Sequence, residues 1–216
     1  MTQPARQPVD AQSRKRLSDA MQQFLQTYDK GYKILLDELK KNLPRDASLK
    51  SYQTSMEKIR MLDTPEKLAT FLNADKPLSE LLGFSPEVVE TFYEQAYKLI
   101  EQKRYNDAKD AFFFLVTVAP QMSESWLGLG FACGHCEEPE GAIQSYLNAI
   151  ALSPHKADGY IAFARLCTAI QDFSRAEKVC DIGMRFAQAH EKQAWAKKLG
   201  DMLEEAKKQI AQLVRR

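Results

Sequence analysis

The sequence predicts an all-α protein, a solenoid of three helix-turn-helix repeats with N-terminal helices before it and a C-terminal capping helix after it. Three observations carry this. Residue types recur every 34 positions between about residues 89 and 190. Outside that block, apolar residues stand three or four apart, as on one face of a helix. Thr64-Pro65-Glu66 and Ser85-Pro86-Glu87 each set a capping residue before a proline and an acid, which is how helices start.

The period is read directly. A shift of 34 residues superposes Phe92, Trp126 and Tyr160; Ala96, Gly130 and Ala164; and Leu99, Cys133 and Cys167. It also superposes Ala108, Ala142 and Ala176; Phe112, Tyr146 and Cys180; and Leu115, Ala149 and Gly183. Pro120 and Pro154 close the first two units, and Gln188 stands where a third proline would. This order of large, small, Ala, aromatic and Pro residues resembles the tetratricopeptide repeat, with units at about 89–122, 123–156 and 157–190 inside a block spanning 86–190. Small residues let the paired helices approach, and large ones fill the gap between pairs. The prolines end one unit and begin the next.

Such an array needs caps, because no repeat buries its apolar face alone. Residues 191–216 supply a capping helix, with Ala194/Trp195, Leu199, Met202/Leu203, Ala206, Ile210 and Leu213 in one stripe. At the other end, residues 1–12 hold two prolines and little apolar surface and are expected to be disordered. Residues 13–85 form an N-terminal helical extension. A helix over 13–42, ended by Pro44, carries Leu17, Met21, Phe24, Tyr28, Tyr32, Leu35 and Leu39 on one stripe. A second is expected over 47–61 and a third from Thr64. These helices either cap the repeats or offer a surface for self-association or an arm over the groove. The stripe from Leu17 to Leu39 is long enough to pair with a second copy, which leaves a homodimer open.

Charge narrows the partner. Residues 1–85 hold 14 Lys and Arg against 11 Asp and Glu, residues 86–190 hold 9 against 14, and residues 191–216 hold 7 against 4. A repeat block of net −5 is no surface for phosphate, so nucleic acid is excluded as the partner. No apolar run reaches the roughly 18 residues of a membrane span, so no stable membrane insertion is expected. The polar N-terminus lacks a signal sequence, which points to the cytoplasm and to reduced thiols at the four cysteines.

No catalytic or metal site is expected, and no cofactor. Cys133-Gly134-His135-Cys136 has the letters of a redox motif, but it falls at the C-terminal end of a helix, where the dipole disfavours a thiolate. A zinc ion would need further ligands, and Cys167 and Cys180 stand in packing registers. Gly128-Leu129-Gly130 lies inside a helix with no strand before it and reads as close helix packing. His135, His155 and His190 fall near repeat ends as turn residues without a catalytic partner. Of Phe112-Phe113-Phe114 the first belongs to the core, and the sequence does not say which of the other two faces a neighbour.

The function lies in a groove. In a tetratricopeptide array the first helix of each pair lines the concave face through the fifth and ninth positions of its unit. These are Tyr93 and Tyr97, Leu127 and Phe131, Ile161 and Arg165, with Glu90, Glu124 and Asp158 on one rim. Such a groove suits an extended segment with small apolar anchors and basic residues nearby. Arrays that clamp the acidic tail of heat-shock chaperones use Lys, Asn and Arg where this chain has Tyr93, Tyr97, Gly128, Asp158 and Ala162, so that clamp is not present.

A closer likeness follows from local runs. Leu127-Gly128-Leu129-Gly130-Phe131-Ala132-Cys133 with Gly141-Ala142-Ile143-Gln144-Ser145-Tyr146 resembles the class II chaperones of bacterial type III secretion, the LcrH/SycD-type translocator chaperones. Phe92-Tyr93-Glu94-Gln95-Ala96-Tyr97 and Lys103-Arg104-Tyr105-Asn106-Asp107-Ala108 resemble that family's first repeat, and Leu78 to Phe84 its apolar lead-in. The likeness covers about residues 78–210. It implies a cytoplasmic, nucleotide-independent chaperone of hydrophobic secreted translocator proteins. The groove would take an extended client segment with proline and leucine in successive pockets and keep the client soluble and export-competent. Two departures stand out: about 85 residues precede the first repeat, and the chain is near neutral where relatives are acidic. The extension suggests an intracellular pathogen such as a chlamydia as the source. The alternative is a generic tetratricopeptide adaptor or scaffold, such as a needle-subunit chaperone, that binds a helix or a folded partner.

Overall fold

The computed structural model describes residues 11–40 and 78–214. Expectations for residues 1–10, for a helix over 47–61 and for one from Thr64 fall outside them. Among the described residues every regular element is a helix.

Helix α1 (Ala11–Lys40) starts inside the stretch expected to be disordered, so residues 11 and 12 are helical. A short helix α2 (Leu78–Leu82) leads into the first pair, α3 (Pro86–Glu101) and α4 (Tyr105–Val118). The second pair is α5 (Ser123–His135) and α6 (Pro139–Leu152), and the third is α7 (Ala157–Ala169) and α8 (Phe173–Ala189). Helix α9 (Gln193–Val214) follows. Pro86 and Pro139 sit in the first turns of α3 and α6, where a missing N–H costs nothing. Asp172 caps α8 by accepting a hydrogen bond from the Arg175 N–H at 3.0 Å.

The turn inside each pair is the same turn three times. The N–H groups of Arg104, Glu138 and Asp172 donate to the carbonyls of Leu99, Cys133 and Cys167 at 2.9, 3.0 and 2.8 Å. The residues just before, Lys103, Glu137 and Gln171, have φ of 59°, 60° and 62°. This is the left-handed helix-ending motif that glycine usually fills. Here it closes without one. Links this short make each pair antiparallel, and from α3 onward each helix packs on the one that follows it. The inner helices α3, α5 and α7 also touch in series, and α9 packs on both α8 and α7.

Register residues fill the core. Every member of the six repeated positions is buried except Trp126, which is half-buried and donates its indole N–H to the Pro120 carbonyl at 2.7 Å. Its ring edge stays at the surface, where its N–H bonds the turn carbonyl. Two glycines show why helices approach so closely. A Cβ on Gly128 would lie 2.3 Å from the Phe112 ring, and one on Gly130 would lie 2.7 Å from the Tyr146 ring. The capping stripe of α9 is buried through Trp195, Leu199, Leu203 and Ala206, but Leu213 stands in solvent.

Helix α1 runs antiparallel along α4 and touches α3. Tyr28 and Tyr32 pack on Phe114, and Phe24 meets Phe113 edge-on. Phe114 is fully buried among Tyr32, Phe84 and Phe92, while Phe113 is half-buried under α1. Ion pairs Lys30–Asp110 and Arg104–Glu38 flank the contact. Tyr28, Tyr32, Leu35 and Leu39, from the stripe offered for pairing with a second copy, are therefore buried on their own chain. A dimer built on those residues would require α1 to leave α4.

Candidate functional site

The inner helices enclose a groove of about 370 Å3. Tyr93 and Tyr97 reach it from α3, Leu127 and Phe131 from α5, and Asp158 and Ala162 from α7. The Tyr93 ring is held by Phe112 beneath it, with centroids 6.0 Å apart and edge to face, and by Tyr97 at 6.4 Å. Phe131 leans on His135 at 4.5 Å, and His135 is stacked on Tyr105 at 4.1 Å. Tyr97 and Phe131 are 49% and 40% exposed. Both therefore present large apolar surface to solvent along the groove.

At one edge, Glu124 at the start of the second repeat pairs with Lys156 at its end, and Ser153 bonds Ser123 at 2.9 Å. The Lys156 ammonium holds the Glu124 carboxyl below the usual carboxylate range. Burial pushes the Tyr93 hydroxyl up, and the nearby charges of Glu124, Tyr97 and Glu90 add to this. A second cavity of about 890 Å3 opens beside the groove and shares Tyr93 and Glu124 with it.

The residues expected from sequence divide as follows. Tyr93, Tyr97, Leu127, Phe131, Glu124 and Asp158 line the groove together, and Glu90 lines the second cavity. Ile161 does not reach the groove and is buried in the core, and Arg165 is exposed away from the lining. The fifth position of each unit sits at the core margin. Tyr93 and Leu127 at this position line the groove, whereas Ile161 packs into the core. Ile100 and Tyr146 also line the groove, without having been expected there. Gly128 and Ala162, 34 residues apart, leave the floor open by being small. That shared register of small residues was a signal available in the sequence.

The Cys133–Cys136 pair has no thiolate chemistry built around it. Both thiols are free, and burial pushes the Cys133 thiol up to about 11. Cys136 lies 3.4 Å from the Asn106 side-chain oxygen. Among the described residues no group of three or more His, Cys, Asp or Glu could hold a metal ion, and no helix is long and apolar enough to cross a membrane.

Comparison with known proteins places the fold. No family model matches the chain, and no curated protein matches it by sequence. Among solved structures, the chain is similar to one in a T3SS complex from Aeromonas hydrophila, at 21% identity and TM-score 0.60, covering 67% of this chain and 97% of that one. It is also similar to the Yersinia enterocolitica type III secretion translocator chaperone SycD, at 20% identity and TM-score 0.55, covering 61% and 99%. A third is PcrH of Pseudomonas aeruginosa in complex with the chaperone binding region of PopD, at 23% identity and TM-score 0.53, covering 58% and 95%. The chain has the tetratricopeptide fold of the type III secretion translocator chaperones.

Proposed function

We propose that this chain is a non-catalytic, cytoplasmic chaperone of type III secretion. Its groove holds an extended segment of a hydrophobic translocator protein and keeps that protein soluble and export-competent. The observation that carries this is the groove itself: open aromatics from α3 and α5 over a floor of small residues, with no Lys or Arg among its lining. Such a floor admits a backbone with apolar side chains to either side, and it offers nothing to a terminal carboxylate. That PcrH was solved with the chaperone binding region of PopD supports the same use of the fold. A client held through a few pockets can be released again at the export apparatus, whereas a buried interface of larger area would hold it too long.

The test is co-purification from the native bacterium, with mass spectrometry of what stays bound. Recovery of a large apolar secreted protein supports the chaperone. Recovery of folded cytoplasmic proteins alone would replace it with a scaffold.

A further inference from the structure

The cavity beside the groove has a chemistry of its own. It lies between α2, the first turns of α3 and the link from α4 to α5. Phe84, Val89 and Met122 make its wall apolar, while Glu80, Glu90 and Glu124 line it with carboxylates. No Lys, Arg or His is among its lining. Glu124 is already matched by Lys156, whereas Glu90 is exposed and forms no ion pair among the described residues.

We propose that this cavity is a second subsite for the same client segment and that it takes a lysine or arginine side chain. The inference rests on the groove being the client site. A long side chain with an aliphatic stem and a cationic head fits an apolar wall with an acidic edge. A purely apolar residue would strip water from Glu90 without replacing it, and an acidic one would be repelled. The net −5 of the repeat block favours the cation further.

The geometry also sets a spacing. On α3 the cavity is lined by Pro86, Val89, Glu90 and Tyr93, and the groove by Tyr93, Tyr97 and Ile100. The two centres are about seven residues apart, or roughly 11 Å along the helix. An extended peptide covers that in about three or four residues. The basic residue should therefore stand three or four positions from the apolar anchor, on one side only.

Fluorescence polarisation with labelled twelve-residue peptides tests this. The probes are Ser/Ala peptides with one leucine at position 6, alone or with one arginine moved through the other positions. The leucine peptide is expected to bind wild type and to lose binding to Phe131→Glu. An arginine three or four positions to one side should tighten binding at least fivefold at low salt. In Glu90→Gln, checked for folding by circular dichroism, that ratio should fall to within twofold of one. Equal tightening at every position, or a ratio that survives Glu90→Gln, would overturn the subsite and leave the groove standing. A leucine peptide that fails to bind, or ignores Phe131→Glu, would overturn the groove and the subsite with it.

Discussion

The ring of Tyr32 on α1 lies parallel to that of Phe114 on α4, with centroids 4.8 Å apart and planes within 2°. That stack fixes the N-terminal extension on the first repeat, and it depends on a neighbour without a side chain. A Cβ on Gly31 would stand 2.0 Å from the Asp110 carbonyl oxygen. Backbone cannot move aside as a side chain can, so Gly31→Ala must lift α1. The expected loss is about 2–4 kcal/mol of stability, seen as a lower melting temperature and earlier proteolysis within residues 11–40. Unchanged melting would mean that α1 does not dock as described.

Gln171 ends α7 in the left-handed region with φ 62°, where a side chain costs about 1–2 kcal/mol. Gln171→Gly should stabilise the array by about 0.5–1 kcal/mol, since part of that relief is returned as unfolded-chain entropy. Denaturant titration measures it. A fall of similar size would show that the turn is not strained.

Trp126 is half-buried and tied to the Pro120 carbonyl. Trp126→Ala should cost about 2–3 kcal/mol, below the 3–5 of a fully buried aromatic. The helical signal should survive at low temperature and its midpoint should drop. No change would put the register of the second repeat in error.

Burial raises the thiols of Cys133, Cys167 and Cys180 from 9.0 to about 11. Below about pH 9 the folded and unfolded chains both keep these protons, so stability is level. Between 9 and 11 the unfolded chain releases protons that the folded chain holds, so stability falls as pH rises. Urea midpoints measured from pH 8 to 11 should be flat and then decline. A flat profile to pH 11 would place these thiols in contact with water.

The parts legible from sequence were those that repeat. Three copies of one unit report the same contact three times, which is why Ala96, Gly130 and Ala164, or Leu99, Cys133 and Cys167, could be assigned to the core. A single amphipathic helix carries no such redundancy. The stripe of α1 announced an apolar face but not that it would cover α4, and nothing in the sequence marked Gly31 as the point of closest approach. The left-handed turns were hidden for a different reason: Lys103, Glu137 and Gln171 are not residues that advertise positive φ. Within the groove, position gave Tyr93, Tyr97, Leu127 and Phe131, but position alone did not mark Ile161 as a core residue.

The central claim is that a client segment lies against Tyr93 and Phe131. Calorimetric titration of the co-purified client into wild type and into the Tyr93→Ala, Phe131→Glu double variant tests it most directly. Matched circular dichroism confirms that both are folded. The account predicts at least a hundredfold loss of affinity with helicity retained. Equal affinity in a folded double variant would contradict it and move the client site off the inner helices.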